Sequence, residues 1–150
     1  MSAAHVVTFR PTDLEDAGER QQIDGIDVEI YLSVFDKPTA VSVANDAARN
    51  ELVIAFRYPD QEAPARSAKT SANKVRIVEG RYTGKLLELR VPLHHRQLSS
   101  SALKDQLDLA LDERAHPDLA LKPLSTVGRR LNQRVARGLL DRSIAELQLP

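Results

Sequence analysis

The order of apolar and polar positions changes period near residue 98. Before it, apolar residues recur at every second position, the repeat of a strand with one buried face. After it they recur at every third or fourth, the repeat of a helix docked along one side. "DVEIYLSVF" (27–35) places Val28, Ile30, Leu32 and Val34 on one face, with Glu29, Tyr31 and Ser33 on the other. "TAVSVA" (39–44) and "ELVIAFRY" (51–58) have the same form, the second aligning Leu52, Ile54, Phe56 and Tyr58. The turn formers of "NDAARN" between them predict a hairpin. A second hairpin is predicted in "KVRIVEGRYTGKLLELRVPL" (74–93), where Val75 and Ile77 face one way, as do Leu87, Leu89 and Val91, and two glycines serve the connection. Lys74, Arg76, Glu88 and Arg90 then take the wetter side. "HVVTF" (5–9) reads as a further strand and "TDLEDAGERQQIDG" (12–25) as an acidic loop. "PDQEAPARSAKTSA" (59–72) holds two prolines and no period, and reads as a flexible loop.

From residue 99 a helical pair is predicted to run to 147. "SSS" caps the first helix, Leu103, Leu107, Ala110 and Leu111 form its apolar stripe, and "HP" (116–117) ends it. The second begins near Pro123 or Ser125, since proline is tolerated in a first turn and serine caps well. At 100° per residue, Leu124, Val127, Leu131, Val135 and Leu139 fall within about 120° of arc, the width of a face that docks on a core. Leu140, Ile144 and Leu147 lie on the opposite side. A straight helix would leave that second apolar face open, so either it breaks near Gly138 or the face docks on another subunit. Cover within the chain and subunit docking are equal alternatives, and a homodimer through Leu140, Ile144 and Leu147 is the expectation. The fold class is therefore α+β: one domain over 1–150, with an antiparallel β-meander of five or six strands over 5–93 and the helical pair packed on one face.

Composition agrees with a globular chain: 42% apolar and 28% charged over 150 residues. Cysteine is absent, which excludes disulfides and thiolate metal sites and suits a reducing compartment. With no apolar run of signal-peptide or membrane-span length, a soluble cytoplasmic protein is expected. Net charge is zero, yet residues 1–65 carry twelve acids and five bases, whereas 66–150 carry nine acids and sixteen bases. Oppositely charged halves either face one another or mark a polyanion partner for the basic half. Arg130, Arg134 and Arg137, at spacings of four and three, suit a wet helix edge as well as a row of phosphates. With Arg129, Lys74, Arg76, Arg81, Lys85 and Arg90 they make the nucleic-acid or polyanion alternative. Only six aromatics are present, and the phenylalanines Phe9, Phe35 and Phe56 look like core, so stacking on single strands is poorly served.

Catalytic signatures are missing. "GRYTGKL" (80–86) has three residues between its glycines where a phosphate loop needs four, and Leu86 replaces the magnesium-binding hydroxyl. His94 and His95, adjacent on a strand, point to opposite faces, and no metal-ligand spacing accompanies them. No cofactor or metal is expected. A non-enzymatic, self-associating interaction domain is the favoured reading. A ligand cup between sheet and helices, with Tyr31, His94 or Arg57 as polar contacts, is a third.

Overall fold

In a computed structural model, residues 5–8, 18–59, 66–80, 84–93, 99–114 and 123–147 are described. Their chain order is β1 (His5–Thr8), β2 (Gly18–Ile23), β3 (Ile26–Tyr31), a 3₁₀ turn (Val34–Asp36), β4 (Ala40–Asp46), β5 (Glu51–Arg57), β6 (Arg66–Thr70), β7 (Arg76–Gly80), β8 (Leu86–Pro92), α1 (Ser100–Arg114) and α2 (Pro123–Leu147). The architecture is α+β, with antiparallel sheets and two C-terminal helices packed against them. Six strands form one sheet in the order β1-β4-β5-β8-β7-β6, and β2 and β3 form a separate ribbon. β5 pairs with β8 because β6 and β7 are laid outside β8, so the centre of the sheet joins segments about thirty residues apart.

The hairpins follow local chemistry. Asn50, at φ 51, closes the predicted β4–β5 connection. Between β2 and β3, Asp24 (φ 52) and Gly25 (φ 79) form the two-residue left-handed turn that matches strand twist. The acidic loop expected at 12–25 thus ends in a strand. β2 is polar because a two-stranded ribbon buries only one side. The flexible loop expected at 59–72 likewise holds β6, which pairs with β7 from Arg66↔Gly80 to Thr70↔Arg76. An edge strand is held on one side only, so it does not need the alternation that marks interior strands.

Two parity errors have local causes. The strand predicted to reach residue 35 stops at Tyr31, and Ser33 accepts from the Phe35 amide to start the 3₁₀ turn. Leu32 stays buried while Val34 and Phe35 turn outward. In β8, Glu79 pairs with Leu86 and Val78 with Glu88, leaving Leu87 as the extra residue of a bulge. Leu86, not Leu87, therefore enters the core with Leu89 and Val91.

The core lies between the six-stranded sheet and the helices: Val41, Val43, Ile54, Phe56 and Leu89 below, Leu103, Leu107, Leu111, Leu131 and Leu139 above. Ser99 caps α1 through the Ala102 amide, and the stripe Leu103, Leu107, Ala110 and Leu111 is buried as predicted. α2 is unbroken at Gly138. Its buried residues run from Val127 to Ile144 and span about 260° of its circumference at 100° each, so it is an interior helix rather than a one-sided cover.

That span corrects the expectation that the second apolar face is covered by another subunit: the cover lies within the chain. Leu140 (1% exposed) and Ile144 (5%) are buried within the single chain, and the Leu147 side chain lies outside the described residues. Gln133 donates to the Leu111 carbonyl at 2.8 Å, and Arg137 pairs with Asp108 and Asp112. α1 therefore runs antiparallel to α2 along the row 133, 137, 140, 144, which brings Leu140 and Ile144 level with Leu107 and Leu103. A helical wheel reports that a face must be covered but not by what.

Candidate functional site

The arginines of α2 do not converge on an open basic surface. Arg130 binds Glu19 bidentately at 2.8 and 3.2 Å, and Arg137 bridges Asp108 and Asp112 at 2.8 and 3.0 Å. Arg134 is exposed and has no ion-pair partner among the described residues. These three arginines border a groove of about 400 Å³ that also contains Asp141. Three cations thus stand among four carboxylates, Glu19, Asp108, Asp112 and Asp141, so the strip carries no excess positive charge.

Arg76 and Arg90 lie across the sheet from the helices. Arg76 meets Glu51 at 2.7 Å, and Arg90 reaches Asp46 and Glu88 at 3.2 Å and Glu51 at 3.6 Å. The paired guanidiniums, Arg76 first, hold the Glu51 carboxyl below its ordinary range against the opposing effect of burial. Lys74 is exposed in a turn at φ 69. Arg81, His94 and His95 lie outside the described residues. Arg76 and Arg90 of the hairpin are therefore on the opposite side of the sheet from the α2 arginines, each set among its own acids. The oppositely charged halves of the sequence meet within one subunit: Glu19, Glu51 and Asp46 of the acidic half pair with Arg130, Arg76 and Arg90 of the basic half. We expect Arg134→Ala to leave the unfolding midpoint unchanged within about 0.5 kcal/mol, and Arg137→Ala to cost at most about 1 kcal/mol. Thermal melts of both variants check this.

A buried ion triplet sits where α1, α2 and the β7–β8 turn meet. Glu79 Oε2 accepts from Arg114 Nε at 3.1 Å and from Arg129 Nη2 at 3.0 Å. Arg114, with its side chain 3% exposed, also donates to the Gly84 carbonyl at 2.6 Å and to Gln133 Oε1 at 2.5 Å. Burial, then the neighbouring Arg129 charge, lower the Arg114 pKa. The Arg129 stem lies over Gly84, which adopts φ 69, and its Nε is buried with no hydrogen-bond partner among the described residues. Arg129 thus directs its charge to Glu79 within the fold.

The most distinctive surface includes two residues, Val34 and Phe35, that the sequence reading assigns to the core, and a third, Tyr31, that it assigns to the wet side. Tyr31, Val34 and Phe35 are 62%, 56% and 57% exposed, within five consecutive residues. Their backbone is fixed from below. Asn132 of α2 donates to the Asp36 carbonyl at 2.7 Å and to Tyr58 Oη at 3.0 Å, while its Oδ1 accepts from the Leu86 amide at 2.9 Å. Tyr58 Oη donates to the Leu86 carbonyl at 2.6 Å. Burial raises the pKa of that phenol, keeping it a neutral donor. Lys85 donates to the Phe35 carbonyl at 3.1 Å, pairs with Asp36 at 3.2 Å, and stacks over Tyr58 at 5.1 Å. The 3₁₀ turn is bolted to core groups by its carbonyls while its side chains face water.

Arg57, proposed with Tyr31 as lining for a ligand cup, is exposed, as is Tyr31. Among the described residues no three His, Cys, Asp or Glu side chains are grouped to hold a metal ion, and no helix is long and apolar enough to cross a membrane. Comparison with protein families, characterised proteins and solved structures finds no match.

Proposed function

We propose that this chain is a non-enzymatic interaction domain and that its docking surface is the shelf made by Tyr31, Val34 and Phe35. The reading is carried by one observation: three large apolar side chains within five residues are each more than half exposed, Val34 and Phe35 on a turn whose carbonyls Asn132 and Lys85 hold and Tyr31 at the end of the adjoining strand. A lone exposed apolar residue is ordinary on a protein surface, but three within five residues, two of them on a turn held by its carbonyls, lose little entropy on docking and suit the role of anchors. Self-association through α2, the expectation from sequence, loses its surface once Leu140 and Ile144 are interior. The neutralised arginine strips give the polyanion reading no comparable support.

Phe35→Asp tests this, because an exposed side chain should be dispensable for folding, within about 0.5 kcal/mol. A photo-crosslinking residue is placed at 34, and at the equally exposed Leu109 as control. Crosslinks to protein at 34 are expected to exceed those at 109 and to vanish in the Phe35→Asp background. Equal crosslinking at both positions would sink the proposal, as would a Phe35→Asp protein that no longer folds.

A further inference from the structure

The shelf continues into a strand edge whose polarity and charge select a partner. β3 is bonded to β2 alone among the described residues. The register is Ile23↔Ile26, Gln22↔Asp27, Gln21↔Val28, Arg20↔Glu29, Glu19↔Ile30 and Gly18↔Tyr31. The two-residue Asp24–Gly25 turn makes Ile23 and Ile26 a hydrogen-bonded pair, and in an antiparallel ribbon such pairs alternate with pairs that are not bonded to each other. Val28 and Ile30 therefore bond toward β2, whereas Asp27 and Glu29 direct both their N–H and C=O groups to the other edge. Their side chains are exposed, and no side-chain hydrogen bond or ion pair engages either carboxylate among the described residues. β3 is also built for pairing, with Ile26, Val28, Ile30 and Tyr31 among its six residues.

Such an edge is a template for an added strand, and the charges say which strand. A second copy is a poor fit. An antiparallel ladder joins outward residues to outward residues, so the fullest self-pairings set Asp27 against Asp27, Asp27 against Glu29, or Glu29 against Glu29. Carboxylates directly opposite one another destabilise a pair, and the same positions reward a base. We propose that β3 accepts an extended segment of another protein, antiparallel, with lysine or arginine opposite Asp27 and Glu29. An apolar residue two positions before the first base then lies opposite Tyr31 and beside the shelf. The motif is apolar-x-basic-x-basic, where x alternates to the other face. This rests on the shelf being a docking surface and adds the class of its occupant.

The test uses synthetic capped octapeptides and the intact chain, with binding read by fluorescence anisotropy. A peptide with leucine in the apolar position, lysines in the basic ones and threonines between should bind at least about tenfold more tightly than its twin with glutamates for lysines. The Asp27→Lys, Glu29→Lys double variant should invert that preference while keeping the parent's circular dichroism, with some loss of melting temperature because a base at 29 stands opposite Arg20 in the ribbon. N-methylation of the peptide at its lysines, whose amides face β3, should abolish binding, and at the threonines it should not. Equal affinity for both peptides, indifference to which amides are methylated, or a dimer in light scattering that is lost on Glu29→Arg would each overturn the proposal. The crosslinking contrast between 34 and 109 does not depend on these peptides. If it holds while they fail, the shelf stands and the strand-edge occupant is rejected.

Discussion

Leu140→Asp with Ile144→Asp is expected to unfold the chain rather than to separate two subunits. Both positions are buried inside one molecule, at the level where α1 meets α2. Removing a buried leucine or isoleucine side chain costs about 2–5 kcal/mol, and a buried carboxylate without a partner adds several more. Two such changes exceed the stability of about 5–15 kcal/mol that a domain of this kind commands. Circular dichroism of the double variant should lack a cooperative transition, and Leu140→Ala should lower the denaturation free energy by about 2–5 kcal/mol. A folded variant of halved solution mass would restore the idea that this face joins subunits. A folded variant with an unchanged midpoint would contradict the burial itself.

Glu79→Ala is expected to cost about 3–5 kcal/mol, because it leaves the guanidiniums of Arg114 and Arg129 buried beside each other without the carboxylate they share. The companion Arg129→Met should cost far less. It removes one of the two like charges together with the buried Nε that has no acceptor among the described residues, and keeps apolar volume over Gly84. Urea denaturation of both variants checks the asymmetry. If Arg129→Met proved as damaging as Glu79→Ala, the triplet would not be organised around the carboxylate.

Much of this architecture could be read from periodicity, and the failures have distinct physical origins. The change from a two-residue to a helical repeat near 98 divided sheet from helices because burial on one side enforces each repeat. Ser99 capping and the stripe from Leu103 to Leu111 needed no tertiary information. β2 was hidden because a ribbon with one wet side tolerates "GERQQI", although Asp24-Gly25 between isoleucines was a strong hairpin signal. β6 was hidden because an edge strand needs only backbone partners. Leu86 was assigned to the wrong face by a bulge, which shifts parity without leaving a mark in composition.

The candidate site was less legible. Phe35 resembles any core phenylalanine, and the turn that points it outward is fixed by Asn132, ninety-six residues beyond Asp36, and by Lys85, fifty beyond Phe35. The arginine strip had the opposite fate. Its spacing was correct, but its meaning depended on Glu19, Asp108 and Asp112, whose approach only the fold brings about.

Because α2 is enclosed on most of its circumference, it behaves as the hub of the molecule although it follows every strand in the chain. During synthesis the strands emerge before residues 123–147 exist, so their greasy side must wait, loosely associated, for the helix that completes it. The apolar face of the sheet is thus completed by a segment that lies far along the chain from the strands it covers.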